Sequence, residues 1–339
     1  MLKQIIAILT LSFLSYGSVQ AYTFKVATLS TDGSVWMEKM RAGAEEISQK
    51  TDSRVNFKFY PGGVMGGDKN VLRKIRFGQL QGAALPSAGL TGIYPDIQLY
   101  NLIVKFQSMS EIDYVREQMD DQLLVGLEKK GLVAFGFSEI GLAYTMSTTP
   151  VHNITDLQQL KSWVPENNKI AIQAYKALSI SPIPLPLRDV LMGLQTGMIT
   201  SVAGTPTGAI ALQWHTKIKY VTDSPLSYIF GVFFLDKKAF NKISKADQLV
   251  VREVMAKTVN EVDKQSRQDN VNAVLALKKL GVEFIDVEDA AANELKAVME
   301  SANQEIVSKS GLSSRLVEML DKYLAAFRAQ SSRIESVGL

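Results

Sequence analysis

The feature that most constrains the fold is a long helical pattern in the last third of the chain. It begins after Ser244, a residue type that commonly caps helix N-termini, and runs from Lys245 to about Leu280. At 1.5 Å per residue, roughly 36 helical residues span about 54 Å, which exceeds a single small domain. The pattern therefore predicts a helix that lies across two lobes as a spine. Two shorter helices joined by a bend are the alternative.

The chain from residue 23 onward alternates short strand patterns with amphipathic helices. In chain order these segments are Thr23–Ala27, a helix from about Val35 to Lys50, Val55–Tyr60, a helix capped by Asp68, and Gln81–Leu85. This β-α-β-α-β order predicts a parallel sheet with right-handed crossovers. The glycines between residues 62 and 67 could suggest a phosphate site, but neither nucleotide-binding glycine motif occurs. A tight turn beside a ligand cleft is therefore the favoured interpretation.

Later segments continue the alternation of helix and strand. The predicted elements are a helix over Met109–Lys130, strands over Leu132–Ser138, Lys161–Val164 and Ile199–Ala203, helices over Lys169–Leu178 and from about Leu187 to Thr196, a strand over Gly281–Ile285, and a helical tail over Asp289–Arg328. Pro182, Pro184 and Pro186 fix an extended segment that cannot be a central strand. Tyr228–Leu235 is strongly apolar and predicts a strand that crosses between the lobes.

The first 21 residues have the composition of a cleavable secretory signal peptide. Lys3 precedes an apolar run over Ile5–Leu14, and Val19-Gln20-Ala21 is a small-x-small cleavage site. A membrane span needs about 20 apolar residues, so the run is too short to be one. We expect cleavage after Ala21 and export to the periplasm. An uncleaved anchor is the alternative.

Composition excludes several classes of function. The chain has no cysteine, so disulfides and thiolate zinc sites are impossible. The formal net charge is +3, which is too close to neutral to indicate nucleic acid or a membrane surface as a partner. Neither the G-x-S-x-G nor the H-E-x-x-H motif is present, and the chain has only two histidines. We therefore predict no cofactor, no metal-binding residues and no enzyme activity that depends on these motifs; a hydrolase with a pair of carboxylates, whose spacing is not fixed, stays open at this point.

A set of ordered motifs resembles the substrate-binding proteins of TRAP transporters (tripartite, ATP-independent periplasmic; the DctP-type solute-binding family). The motifs are the YPGG turn, R-K-I-R-x-G-Q, D-L-x-x-L-K-x-x-V-P, L-Q-T-G, Q-W-H-T-K-x-K-Y and the crossing strand before K-K-A-F. The resemblance covers residues 23 to about 327. It implies a two-lobed α/β periplasmic-binding-protein-like fold of mostly parallel sheets with crossing strands. Lobe I would hold residues 22–142 and about 236–339, and lobe II residues 143–235.

The chain departs from the family pattern at the ligand-binding arginine. Members commonly hold a carboxylate with an arginine in the D-L-K-G-L-K-x-R-V-P segment, and that position is Trp163 here. A second arginine of some members falls close to Ala143, and a frequent asparagine falls close to Thr205. The resemblance therefore implies an organic acid that is aromatic or otherwise atypical, or one held by backbone amides and neutral donors.

Candidate ligand-binding residues lie at the predicted ends of strands and helices. They are Trp163, Trp214, Thr205, Asn168, Trp36, Tyr144, Glu139, His215 and Gln213. Trp163 and Trp214 offer a flat surface and an N–H donor, although a tryptophan in the core is the alternative for each. Trp36 could instead be a core residue at a helix start, Glu139 an exposed loop carboxylate, and His215 a surface or capping histidine.

Together these features predict the periplasmic substrate-binding subunit of a TRAP transporter. It would capture a small organic acid, close its lobes around it, and deliver it unchanged to the membrane permease for import on an ion gradient. The chain would be a monomer or a homodimer. An exported hydrolase that uses a pair of carboxylates is one alternative, and a ligand-sensing subunit for a membrane receptor is another.

Overall fold

The structure is a computed structural model that describes residues 21–166 and 168–337. The predicted signal peptide, apart from Ala21, lies outside the described residues. The strands are β1 (Tyr22–Thr28), β2 (Val55–Tyr60), β3 (Gly82–Pro86), β4 (Leu132–Ser147), β5 (Trp163–Pro165), β6 (Ile183–Leu185), β7 (Ser201–Gly204), β8 (Tyr220–Asp236) and β9 (Glu283–Ile285). The helices are α1 (Val35–Lys50), α2 (Asp68–Arg76), α3 (Met109–Lys129), α4 (Ile154–Gln158), α5 (Lys169–Ala177), α6 (Val190–Thr196), α7 (Pro206–Ala211), α8 (Lys237–Phe240), α9 (Lys245–Lys279), α10 (Asp289–Ser310) and α11 (Ser314–Val337).

One mixed sheet runs through both lobes in the order β2-β1-β3-β8-β4-β7, and β9 lies beside β8. The opening strands β2, β1 and β3 are parallel, as the β-α-β-α-β pattern predicts. The pairs β3–β8, β8–β4 and β4–β7 are antiparallel. The sheet is therefore less parallel than expected, because the chain leaves lobe I along β4 and returns beside it along β8. The short β5 and β6 form a separate parallel pair in lobe II.

The crossing strands β4 and β8 are longer than the sequence pattern predicts. β4 continues to Ser147, beyond the predicted end at Ser138, and its pairing with β8 shifts register near Gly136 and Gly141. Both glycines have positive φ, of 135° and 128°. Register shifts of this kind bend a strand and increase its twist. β4 therefore bends where it passes from one lobe into the other.

The spine helix α9 is a single unbroken helix of 35 residues, so the predicted spine is confirmed. Ser244 caps it, and the Ser244 hydroxyl accepts a hydrogen bond from the Asp247 amide. Its buried apolar residues fall into two groups, separated by a polar stretch. Val251, Val254, Met255 and Val259 pack in the core of lobe I, and Leu277 packs in the core of lobe II. α9 is therefore shared between the lobes.

Lobe I has an apolar core on each face of the sheet. On one face, α1 and the first half of α9 cover Phe24, Phe233 and Leu235. On the other face, α3 and the helices Ser87–Leu90 and Pro95–Asn101 pack on Leu85, Phe137 and Phe230. Lobe II has its own core of Trp163, Trp214, Val190, Ile199 and Leu277. Each lobe therefore has a core that positions its own wall of the space between them.

The C-terminal region differs from the expected lobe boundaries. β9 pairs with Tyr220–Thr222 of β8, which belong to lobe II, and α10 packs against α5 of the same lobe. Within α10, the Asn303 side-chain amide also donates to the Ile103 carbonyl of lobe I at 2.8 Å. Beyond α10 the Ser313 amide donates to Asp96, and α11 packs on α3. The stretch from about residue 280 to 310 therefore contacts both lobes, whereas the sequence analysis placed it in lobe I. A smaller correction applies at α2, where Gly67 rather than Asp68 is the N-cap.

Candidate functional site: the cleft between the lobes

A cleft of about 340 Å³ lies where the two lobes, the crossing strands and α9 meet. Its walls come from the β1–α1 loop, the end of β3, the bend of β4, the start of α7, the middle of β8 and the middle of α9. Most of its polar groups are hydroxyls and amides, contributed by Thr28, Ser30, Thr31, Ser34, Ser138, Thr205, Thr207, Gln265, Ser266 and Asn270. Ligand sites combine apolar walls with a few polar groups that fix orientation, and this cleft has that composition.

The lobe I wall is built by the β1–α1 loop and the first turns of α1. Ser34 caps α1 by accepting a hydrogen bond from the Met37 amide, which fixes the start of the helix at the edge of the cleft. Trp36 lies in the first turn and is half-buried. Lys39 lies one turn further along and forms an ion pair with Glu261 of α9 at 3.7 Å. Lobe I therefore supplies an aromatic ring and a cation.

The α9 wall was missed by the sequence analysis. Val262, Gln265, Ser266, Asp269 and Asn270 line the cleft, at the spacing of one helix face. The signal was present in the sequence as the polar run DKQSRQDN over residues 263–270, which interrupts the apolar periodicity of the spine. A helix side that is polar in the middle and apolar at both ends indicates that its middle faces a hydrated space rather than a core.

Glu139 lines the cleft at the bend of β4, as part of a charged network. Its side chain is 2% exposed and accepts a hydrogen bond from Arg267 at 2.7 Å, while Arg267 also holds Asp113 with two bonds of 2.8 Å. Burial raises the pKa of the Glu139 carboxyl, although the hydrogen bond from Arg267 acts in the opposite direction. The backbone amide of Glu139 donates to Asp263 of α9. Glu139 therefore ties the crossing strand to the spine.

A second network continues behind the bend, between α3, β8 and α9. Arg116 donates to Asp120, to Asp263 and to the hydroxyl of Tyr228 at 2.9–3.1 Å. Tyr100 donates to the other oxygen of Asp120 at 2.9 Å. Buried charges of this kind are tolerated because each has partners. The region where the lobes meet is therefore held by directional contacts as well as by apolar packing.

Asn270 joins the spine to lobe II at the edge of the cleft. Its amide nitrogen donates to the Ile140 carbonyl of β4 at 2.8 Å, and its amide oxygen accepts from the Thr207 hydroxyl at 2.6 Å. Thr205, which also lines the cleft, caps α7 by accepting from the Gly208 amide. A side chain on Gly141 would meet the Asn270 amide at 2.6 Å, so the glycine is needed for this close approach. Asn270 thus contacts both the bend of β4 and α7 of lobe II.

The structure places Trp163 and Trp214 in the core of lobe II, which corrects the expectation that they face the ligand. Each is 3% exposed, and their rings make an edge-to-face contact with centroids 5.6 Å apart. The Trp163 N–H donates to the Leu185 carbonyl at 3.0 Å, across the β5–β6 pair. Both rings are therefore held by packing within one lobe. Neither offers a free face to the cleft.

Four further candidates also lie outside the cleft walls of the described structure. Asn168 caps α5 by accepting from the Ala171 amide. Tyr144 packs against the core of lobe II, and burial raises the pKa of its hydroxyl. His215 contacts the Ala209 carbonyl at 3.2 Å, and Gln213 adopts a left-handed conformation before the short helix Trp214–Thr216. Of the nine candidates, Trp36, Glu139 and Thr205 line the cleft. Their contact with a ligand stays a prediction.

Comparison with known proteins gives the same picture over most of the chain. The model of the DctP family, bacterial extracellular solute-binding protein family 7, matches residues 26–310. The C4-dicarboxylate-binding periplasmic protein DctP of Rhodobacter capsulatus is 24% identical over 280 residues, which are 80% of this chain and 83% of that protein. The sialic acid-binding periplasmic protein SiaP of Vibrio cholerae is 22% identical over 318 residues, which are 91% and 97% of the two chains.

Solved structures share the fold. The sugar acid binding protein DctPAm of Advenella mimigardefordensis, in complex with galactonate, superposes with a TM-score of 0.83 at 20% identity, covering 91% of this chain and 99% of that one. A TRAP periplasmic solute binding protein of Desulfovibrio salexigens with bound orotic acid gives 0.82 at 17% identity, covering 90% and 99%. The two-lobed fold and the family match lead to one conclusion. The chain belongs to the DctP family of bacterial extracellular solute-binding proteins.

Proposed function

We propose that this protein captures a small organic acid in the cleft between its lobes and delivers it to the membrane subunits of a TRAP transporter. The observation that carries the proposal is the cleft itself, which lies between two lobes that are joined by β4, β8 and α9. Joining elements of this kind allow hinge closure around a ligand. Relatives named for C4-dicarboxylate and sialic acid, and a neighbour with bound galactonate, support an acid as the ligand class.

Two features support the periplasm as the site of action. The first 21 residues have the composition of a cleavable signal peptide, and the named relatives are periplasmic proteins. Among the described helices, none is both long and apolar enough to cross a membrane. In this proposal the permease is a separate partner, and the present chain supplies the captured solute.

The acid would be held without an arginine from β5. Among the described residues that line the cleft, Lys39 is the only lysine or arginine. Its ion pair with Glu261 is long, at 3.7 Å, and partly exposed, so Lys39 can exchange that partner for a ligand carboxylate at little cost. The hydroxyl and amide groups around it can bond the remaining polar atoms of the ligand. Trp36 would supply apolar contact from lobe I.

The cleft is less suited to hydrolysis by a pair of carboxylates. The carboxylates that line it in the described structure are Glu139 and Asp269. Glu139 is engaged by Arg267 at 2.7 Å and is therefore not free to accept or release a proton during a reaction. A binding role leaves the ligand intact, and this difference is measurable.

The test is a thermal-shift screen of the purified protein against C4-dicarboxylates, sugar acids, aromatic acids and neutral polyols. A ligand at about 100 times its dissociation constant should stabilise the protein by about 2.7 kcal/mol. Lys39→Met should weaken binding of an acid at least tenfold, whereas Lys69→Met, an exposed change on α2, should not. Recovery of the bound compound unchanged by mass spectrometry supports transport. Turnover of the compound, or no stabilisation by any acid, contradicts the proposal.

A further inference from the structure

We propose that the ligand is an organic acid that also carries a cationic nitrogen group, and that it binds with its carboxylate toward Lys39 and its cation toward Asp269. This inference rests on the proposed function, because it names the chemical class of the ligand for the same cleft. It follows from the distribution of charge over the cleft walls.

The ionisable side chains among the described lining residues are Lys39, Glu139 and Asp269. The charge of Glu139 is compensated by Arg267, and its side chain is buried. Asp269 has a different environment, since the hydrogen bond it accepts is from the neutral amide of Gln265 at 2.8 Å. No cation of the described chain lies within ion-pair distance of Asp269. The cleft therefore has one carboxylate that lacks a cation, and one cation with a weak partner.

The two charges lie at different levels of the spine helix. Lys39 contacts Glu261, and Asp269 follows Glu261 by eight residues on the same helix. At 1.5 Å per residue these levels are separated by about 12 Å along the helix axis. Lys39 belongs to lobe I, whereas Asp269 is adjacent to Asn270, which bonds Thr207 of lobe II. The cleft is therefore positive toward lobe I and negative toward lobe II.

Closure of the lobes makes this polarity a determinant of specificity. When water leaves the cleft, the Asp269 carboxylate loses solvation that its one hydrogen bond from the Gln265 amide does not replace. A ligand with a second carboxylate near Asp269 would add repulsion, and a neutral end would leave the lost solvation uncompensated. An ammonium or similar cationic group would compensate the negative charge of Asp269 and would donate hydrogen bonds to its carboxylate. A zwitterion whose charges are several bonds apart fits both ends.

The experiment measures dissociation constants by calorimetry for γ-aminobutyrate, δ-aminovalerate and ε-aminocaproate, and for butyrate, valerate and caproate as the parent acids. Wild type is compared with Asp269→Asn, which keeps the shape of the side chain, and with Asp121→Asn, an exposed change on α3, as the matched control. Small molecules released from the purified protein by denaturation are identified by mass spectrometry in parallel. Circular dichroism establishes that each variant is folded.

Tighter binding of the amino acids than of the parent acids, lost about tenfold or more in Asp269→Asn but not in Asp121→Asn, supports the inference. So does a released acid that carries a basic nitrogen. Equal binding of the two series in wild type and in Asp269→Asn overturns the inference and leaves the proposed function standing. A released acid without a basic nitrogen has the same effect. If no acid binds and none is released, the proposed function fails, and the inference fails with it.

Discussion

Trp163 and Trp36 carry the same indole group in opposite settings. Trp163 is enclosed by the core of lobe II and donates to the Leu185 carbonyl, whereas Trp36 is half-buried at the cleft. We expect Trp163→Ala to lower the free energy of unfolding by about 3–5 kcal/mol, since it leaves a cavity beside Trp214. Trp36→Ala should weaken ligand binding with a smaller loss of stability. Denaturant titrations and calorimetry of both variants check the contrast, which a stable Trp163→Ala protein would contradict.

Asp247 gives a prediction of pH dependence. Arg54 donates to its carboxylate at 2.9 Å, and this hydrogen bond lowers the pKa of the buried carboxyl below its ordinary value. A lowered pKa in the folded state means that the contribution to stability is complete above the unfolded pKa, about 3.9, and is lost as the pH falls through the folded pKa. Asp247→Asn should therefore cost about 1–3 kcal/mol at pH 7.

The loss from Asp247→Asn should shrink as the pH falls through the lowered pKa of the folded carboxyl, because the wild-type carboxyl then also becomes neutral. Urea unfolding of wild type and Asp247→Asn from neutral to acidic pH measures the difference. Asp52→Asn is a suitable control, because Asp52 also pairs with Arg54 but is 87% exposed. An effect of Asp247→Asn that does not vary with pH would contradict the role of the ionised Asp247 carboxylate in stabilising the fold.

The sequence predicted which residue types occur near the site better than it predicted whether each side chain points into the cleft or into the core. Trp36 and Thr205 lie at element ends that line the cleft and Glu139 lines it at the bend of β4, whereas Trp163 lies at an element end that does not line it. Successive side chains of a strand point to opposite faces, and the local pattern of the three-residue β5 does not show which face is covered. The side of β5 on which Trp163 packs depends on β6 and Trp214, which come later in the chain.

At the scale of elements, the bend of β4 depends on Gly141. Its φ is 128°, and a Cβ at this position would meet the Asn270 amide at 2.6 Å. We expect Gly141→Ala to destabilise the protein by about 1–3 kcal/mol and to disturb the contact between β4 and α9. Thermal unfolding measures the loss. Gly92→Ala, where the same Cβ would meet nothing within 4 Å and φ is not positive, should be nearly neutral. Similar effects of the two changes would contradict this account of the bend.

Periodicity predicted most elements with few errors. α1 and β2 have the predicted bounds, and α9 ends within one residue of its predicted limit, because apolar spacing and caps are local signals. The extension of β4 to Ser147 was missed. Its glycines and register shifts interrupt the alternation that identifies a strand, and the segment is held in the sheet by β7 and β8 rather than by its own pattern.

At the scale of the whole molecule, ligand binding should bring the lobes together. The natural chain has no cysteine, so a pair introduced by Val64→Cys in lobe I and Met198→Cys in lobe II can be labelled without background. Both positions are exposed in the described structure. We expect resonance energy transfer between the labels to change on addition of a ligand that stabilises the protein. A label pair within lobe I serves as the control, and an unchanged signal for the pair across the lobes would contradict closure.

The two-lobed architecture was predicted, and the family match and solved neighbours confirm it. The path of the C-terminal region was not predicted. The helical pattern of α10 shows that it has an apolar side, but not that the helix packs on α5 of lobe II as well as contacting lobe I. Such pairing depends on contacts between residues more than 100 positions apart, which no local pattern contains.

The sharing of β4, β8, α9 and α10 between the lobes has a practical consequence for engineering. Each lobe is assembled from pieces of chain that are distant in sequence, so neither corresponds to a contiguous stretch that could be excised or grafted. Recombining this protein with a homologue at one crossover point would mix partners within a lobe. Ligand preference should instead be altered by individual substitutions on the cleft-facing side of α9. There the helix backbone can stay the same while the side chains that face the cleft are changed.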